Sequence, residues 1–152
     1  MKENEFVGKV VVSMADSAQI GKVKDLVFRG LQLSALVVKG ERGEGLLPFT
    51  SIGANGPDAI TIEAYTQVDW NAGSAMDTEC KTTHELGKLK VMDDQGNMIG
   101  HMHDLTINDK GQIQEISVKT DGVFGIGAHE TLVPSSKVRG IGNDLITVES
   151  AS

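Results

Sequence analysis

A single cysteine, Cys80, stands in a chain of 152 residues. No intrachain disulfide can form, which fits a reducing compartment. Aromatic residues are scarce, with one Trp, one Tyr and four Phe. Lys and Arg are outnumbered 14 to 21 by Asp and Glu, for a formal net charge of −7. Nucleic-acid binding and docking on anionic lipid need clustered cations, so neither is expected. No apolar run approaches the roughly 20 residues of a transmembrane helix, and no membrane span is expected. The start, Met1 to Val7, carries Glu3 and Glu5 in place of a basic, then apolar, export signal. The expected location is therefore cytoplasmic.

What is present is a duplication. Gly8-Lys9 recurs as Gly87-Lys88, Ile20-Gly21 as Ile99-Gly100 and Asp25-Leu26 as Asp104-Leu105, at an offset of 79 (87 − 8). Further on, Pro48 matches Pro134 and Ile60-Thr61-Ile62-Glu63 matches Ile146-Thr147-Val148-Glu149, at an offset of 86 (134 − 48). Two copies are too few for a solenoid, which stacks about three or more. Each copy is therefore read as a small self-closed module: residues 1–70 form the first, 71–85 a connector and 86–152 the second. Modules of roughly 60 residues sit near the lower limit for independent folding.

Within the first copy, Lys9 to Met14, Ile20 to Phe28, Leu31 to Lys39, Gly45 to Pro48 and Ala59 to Ala64 read as short strands, with a hairpin across Arg29-Gly30. The second copy repeats the scheme, with turn clusters at Asp93–Asn97 and Asn108–Gly111. Phe49 to Ile52 and Ser135 to Val138 each have room for one helical turn. Short strands at such spacing predict an all-β protein of two small barrels in tandem, related by internal duplication. Their cores are expected to hold Leu33, Leu36, Val38, Ile60 and Ile62 in one, and Ile113, Ile116, Val118, Ile146 and Val148 in the other. In the second strand of each copy, Val23 to Leu26 and Met102 to Leu105 are three apart, which strict alternation cannot bury. A bulge or bend beside Asp25 and Asp104 restores the register. Their carboxylates are expected to accept backbone N–H bonds there, and Gly21 and Gly100 to mark close backbone approach or unusual dihedrals.

The pattern Ile-Gly-x-Val/Met-x-Asp, an apolar strand, Leu46-Leu47-Pro48-Phe49 or Thr131-Leu132-Val133-Pro134, and a closing strand resembles the PRC-barrel domain, and does so twice. The loop Gly122-Val123-Phe124-Gly125-Ile126-Gly127 resembles the glycine-rich loop of many such domains. The family is similar in fold to the cytoplasmic part of the photosynthetic reaction-centre H subunit and to the C-terminal domain of the ribosome-maturation factor RimM. The resemblance implies a binding and assembly module.

Candidates for chemistry are few. His101 and His103 lie two apart on a strand, a start for a metal site with His84 or His129, but they align with Lys22 and Lys24, and solvated strand positions are expected. A calcium loop from Asp93 fails at its sixth residue, Met98, and its twelfth, Asp104. The glycines at 122, 125 and 127 do not form a dinucleotide fingerprint, and Cys80 is read as an unremarkable thiol in the polar stretch from Asn71 to Thr83. No catalytic, cofactor-binding or metal residue is assigned, no cofactor is expected, and the chain is not expected to be an enzyme. Tyr65 to Trp70 reads as strand-like, with Trp70 either covering the open end of the first barrel or anchoring a partner. Val123, Phe124 and Ile126, in a loop lengthened in the second copy, are the other candidate partner-binding residues, to cover their own barrel or to dock. The leading expectation is a non-enzymatic protein-interaction and assembly module with protein partners, homo-oligomerisation included. The alternatives are a ligand- or metal-responsive binding protein and a ribosome- or RNA-processing-associated factor.

Overall fold

In a computed structural model, residues 5–41, 43–70, 80–120 and 130–150 are described. The chain divides into units spanning Glu3–Thr82 and Thr83–Ser152. The first contains β1 (Val10–Ser13), β2 (Ala18–Arg29), β3 (Gln32–Gly40), β4 (Gly43–Pro48), β5 (Ile52–Asn55), β6 (Ala59–Ile62) and β7 (Cys80–Thr82). The second contains a single helical turn, α1 (Thr83–Leu86), then β8 (Lys90–Asp93), β9 (Met98–Ile107), β10 (Ile113–Lys119), β11 (Glu130–Pro134), β12 (Val138–Ile141) and β13 (Leu145–Val148). The sheets run β4-β3-β2-β1-β6-β5 and β11-β10-β9-β8-β13-β12. These are one path traced twice, including the parallel pairs β1–β6 and β8–β13 that bring the end of each copy back beside its start. Each copy is thus a curled, nearly all-β sheet, and the protein is two barrel-like units in tandem.

The long strands β2 and β9 curl because each carries an extra residue at the expected place. Val23 pairs with Val38 and Asp25 with Val37, leaving Lys24 bulged. Met102 pairs with Val118 and Asp104 with Ser117, leaving His103 bulged. The bulge switches faces, so Val23 and Leu26, and likewise Met102 and Leu105, are all buried. Asp25 Oδ1 accepts the Leu26 N–H at 2.8 Å, and Asp104 Oδ1 the Leu105 N–H at 2.8 Å. Asp25→Ala and Asp104→Ala are each expected to cost about 1–3 kcal/mol by leaving that donor unpaired. Chemical denaturation of the two variants checks this, and a near-zero loss would show that water takes over the bond.

The expected core residues are all buried, from Leu33 at 1% exposure and Leu36 and Val38 at 0% to Ile113 at 3% and Ile146 and Val148 at 1%. Phe6 and Val68 join the first core, and Leu86 and Leu89 the second. The helical turns form at Phe49–Ser51 and Ser135–Lys137 as 3-10 turns directly after Pro48 and Pro134.

Three local readings are corrected. The first hairpin turns at Gly30-Leu31, since Arg29 still pairs with Gln32. Tyr65–Gln67 is a 3-10 turn and not a strand: Gln67 Oε1 accepts the Glu63 and Ala64 N–H groups at 2.8 and 3.3 Å, so a side chain outbids strand pairing. The stretch read as a connector also contains structure, because Cys80–Thr82 pairs antiparallel with Val27–Arg29 of β2.

The β8–β9 turn is tied by one carboxylate. Asp93 Oδ1 accepts the N–H groups of Asn97 at 2.8 Å and Gln95 at 3.0 Å, and Oδ2 the Asn97 side-chain amide at 3.2 Å. The Asn97 backbone bond, foremost, holds the Asp93 carboxyl below its ordinary value of 3.8. A depressed folded-state pKa contributes stability that is present above 3.8 and is lost as pH falls through the lower folded value. The melting-temperature gap between the native chain and Asp93→Ala is therefore expected to close as pH drops below 3.8. A gap unchanged between pH about 6 and about 2.5 would assign it to turn geometry alone.

Candidate functional site

The first unit has an open cleft of about 450 Å³. Its floor comes from β1 and the first half of β2, where Gly21 lets backbone pass close: a Cβ there would lie 2.6 Å from the Lys39 carbonyl oxygen. Its polar rim carries Asp16, Gln19, Lys22 and Glu41, and its aromatic rim Tyr65 and Trp70. Asp16 fixes one wall. Its Oδ2 accepts the buried Ser13 hydroxyl at 2.5 Å and the Tyr65 N–H at 3.4 Å, joining the β1–β2 turn to the 3-10 turn. That turn contains Ser17 at φ 50, a left-handed backbone for a residue with a side chain.

Trp70 is held by a clip. After the Tyr65–Gln67 turn, Asp69 exchanges backbone bonds with Leu46 at 2.9 and 3.0 Å, lying alongside the outer edge of β4. This orients Val68, 3% exposed, and Trp70 over glycine backbone. A Cβ on Gly45 would come 2.7 Å from Val68 Cγ1 and 2.9 Å from Trp70 Cε3, and one on Gly40 would come 3.0 Å from Trp70 Cη2. The indole Nε1–H is buried and meets no acceptor among the described residues. An amide-like donor kept from water without a partner costs about 1–3 kcal/mol.

Of the sequence-derived partner candidates, Trp70 lies in this cleft, while Val123, Phe124 and Ile126 fall outside the described residues. His101 is half-buried, and His103, the bulged residue of β9, and His84 on α1 are exposed; His129 also falls outside the described residues. Among the described residues no three His, Cys, Asp or Glu side chains gather as a metal-binding group, and no described helix is long and apolar enough to cross a membrane. Sequence reasoning missed Asp16, Gln19, Lys22 and Glu41 as cleft residues. Nothing in their local pattern marks them, because three separate loops and strands bring them together.

Two curled sheets with one strand order, each closed by a parallel return strand and a proline-led 3-10 turn, define a class of small barrel-like folds. Residues 81–152 match the family model of the PRC-barrel domain. The first unit repeats the second unit's strand path and register. No curated protein matches the chain.

Proposed function

We propose that the protein is a non-enzymatic interaction module of the cytoplasm, which takes an extended, basic peptide segment of a protein partner in the cleft of its first unit. The observation that carries this reading is the Trp70 indole, which is held on glycine backbone by the Asp69–Leu46 clip with no acceptor for its N–H among the described residues. A peptide carbonyl reaching that donor after a small shift of the ring relieves a standing cost, and an extended peptide has unpaired carbonyls to offer. Tyr65 adds an amphipathic surface of the kind enriched at protein interfaces. Asp16 and Glu41 outnumber Lys22 on the rim, and the net charge of −7 steers cations toward it. The single cysteine supports the reducing location.

The test is selection of linear peptides from a displayed random library against the full chain. Titration of the selected peptides is then followed through the emission of Trp70, the only tryptophan. Basic sequences are expected, with emission shifts on binding and about tenfold weaker affinity for Glu41→Lys at low salt, a difference that shrinks as salt rises. Selected peptides that leave Trp70 emission unchanged, or bind Glu41→Lys as well as the native chain, would defeat the proposal.

A further inference from the structure

The two units differ at one edge. In the first, the outer side of β4 is covered where Leu46 and Asp69 exchange backbone bonds. In the second, β11 occupies the same end position in its sheet. The registers correspond residue for residue: Leu46 pairs with Val37 and Leu132 with Ser117, Leu47 with Leu36 and Val133 with Ile116. Backbone groups alternate sides along an antiparallel strand. Since those of Leu46 face away from β3, those of Leu132 face away from β10, and among the described residues nothing pairs with them. Leu132 is also 56% exposed, one of the few large apolar side chains in that state. Such an edge is a template for strand addition.

A clip of the first unit's kind does not fit there. Thr131 stands where the first unit has Gly45, and a Cβ at that position would collide with the Val68 and Trp70 side chains of such a clip. We infer that the outer edge of β11 pairs with β11 of a second copy of this chain, antiparallel and centred on Leu132. The strand is self-complementary in this register. Leu132 faces Leu132 of the other copy and exchanges both backbone bonds with it, Thr131 faces Val133, and Glu130 faces Pro134. Proline lacks an N–H, so each Glu130–Pro134 pair contributes one bond and leaves no buried donor. No like charges face each other across the seam, and Glu130 already lies opposite Lys119 of β10, so two acidic chains can approach along it. The two exposed leucine side chains cover one another on the outer face. A five-residue seam is smaller than a stable interface, so the assembly is weak and set by concentration, on the order of micromolar or above.

Sedimentation equilibrium of the full chain from about 1 to 300 µM, with hydrogen exchange of the Leu132 amide read across the same range, tests this. The expected result is a monomer–dimer equilibrium in which Leu132 protection rises about tenfold or more as dimer forms. Leu132→Pro removes the outward donor without touching the bonds to β10, and Leu132→Lys places a charge on the edge. Either is expected to abolish the dimer at an unchanged melting temperature. A chain that stays monomeric throughout, a dimer that leaves Leu132 exchange unchanged, or a dimer that survives in whichever variant folds would overturn the inference. Leu132 protection that is already full in the monomer would also overturn it, because a segment of the same chain would then cover the edge. Trp70 emission reports the first-unit cleft separately, so failure here leaves the peptide-binding reading standing, and the converse holds.

Discussion

Replacing Gly100 with alanine is expected to unfold most of the second unit at temperatures where the native chain is intact. Gly100 has φ +148, a backbone that residues with a Cβ rarely adopt, and an added Cβ would lie 2.8 Å from the Lys119 carbonyl carbon and 3.0 Å from Thr120 Cα. Those neighbours are backbone of the strand paired with β9, so relief requires parting β9 from β10. Strain of about 1–3 kcal/mol at the dihedral adds to the clash, and a total of about 3–5 kcal/mol approaches the whole stability of a unit this size, at about 0.05–0.15 kcal/mol per residue. The thermal midpoint should drop by well over about 10 °C. Gly21→Ala, which meets the Lys39 carbonyl without the positive φ, should lose less. A Gly100→Ala midpoint within a few degrees of the native one would show that the β9–β10 pair opens cheaply.

The second large effect is expected at Trp70. Trp70→Ala removes the ring that lies on Gly40 and Gly45 and loosens the clip on β4, at about 3 kcal/mol for a half-buried indole, toward the low end for large aromatic truncations. Trp70→Phe should cost far less, because most of the ring contact stays and an N–H that meets no acceptor among the described residues is removed. Urea denaturation of the two variants measures the difference. Equal losses would show that the indole N–H has an acceptor after all, and that its polar end holds the clip.

Much of this was readable because the chain states its pattern twice. The bulges at Lys24 and His103 follow from the three-residue spacing of buried Val23 and Leu26, and of Met102 and Leu105: one face of a strand cannot hold both members of either pair. The core residues followed from strand alternation, and the PRC-barrel match of residues 81–152 from the order of short motifs. Tyr65–Gln67 was misread because Tyr65 and Thr66 are β-forming residues, yet the Gln67 amide closes a local turn before Asp69 bridges to Leu46. The Cys80–Thr82 strand was missed because its polar sequence gives no sign of pairing; only the exposed side of the long β2 strand recruits it.

The sequence alone determined the all-β class, the duplication, the bent second strands with their N–H-accepting aspartates, and the cores, because each rests on spacing between neighbours in the chain. The tertiary structure alone decided what surrounds Trp70, and which strand edge is covered and which stays unpaired among the described residues. Those outcomes depend on residues far apart in sequence: Asp69 reaching Leu46, indole packing that Gly45 permits and Thr131 would block, and rim charges gathered from three segments. No local pattern encodes a contact whose two sides are chosen independently. Folding brings them together through backbone bonds that any residue but proline can donate.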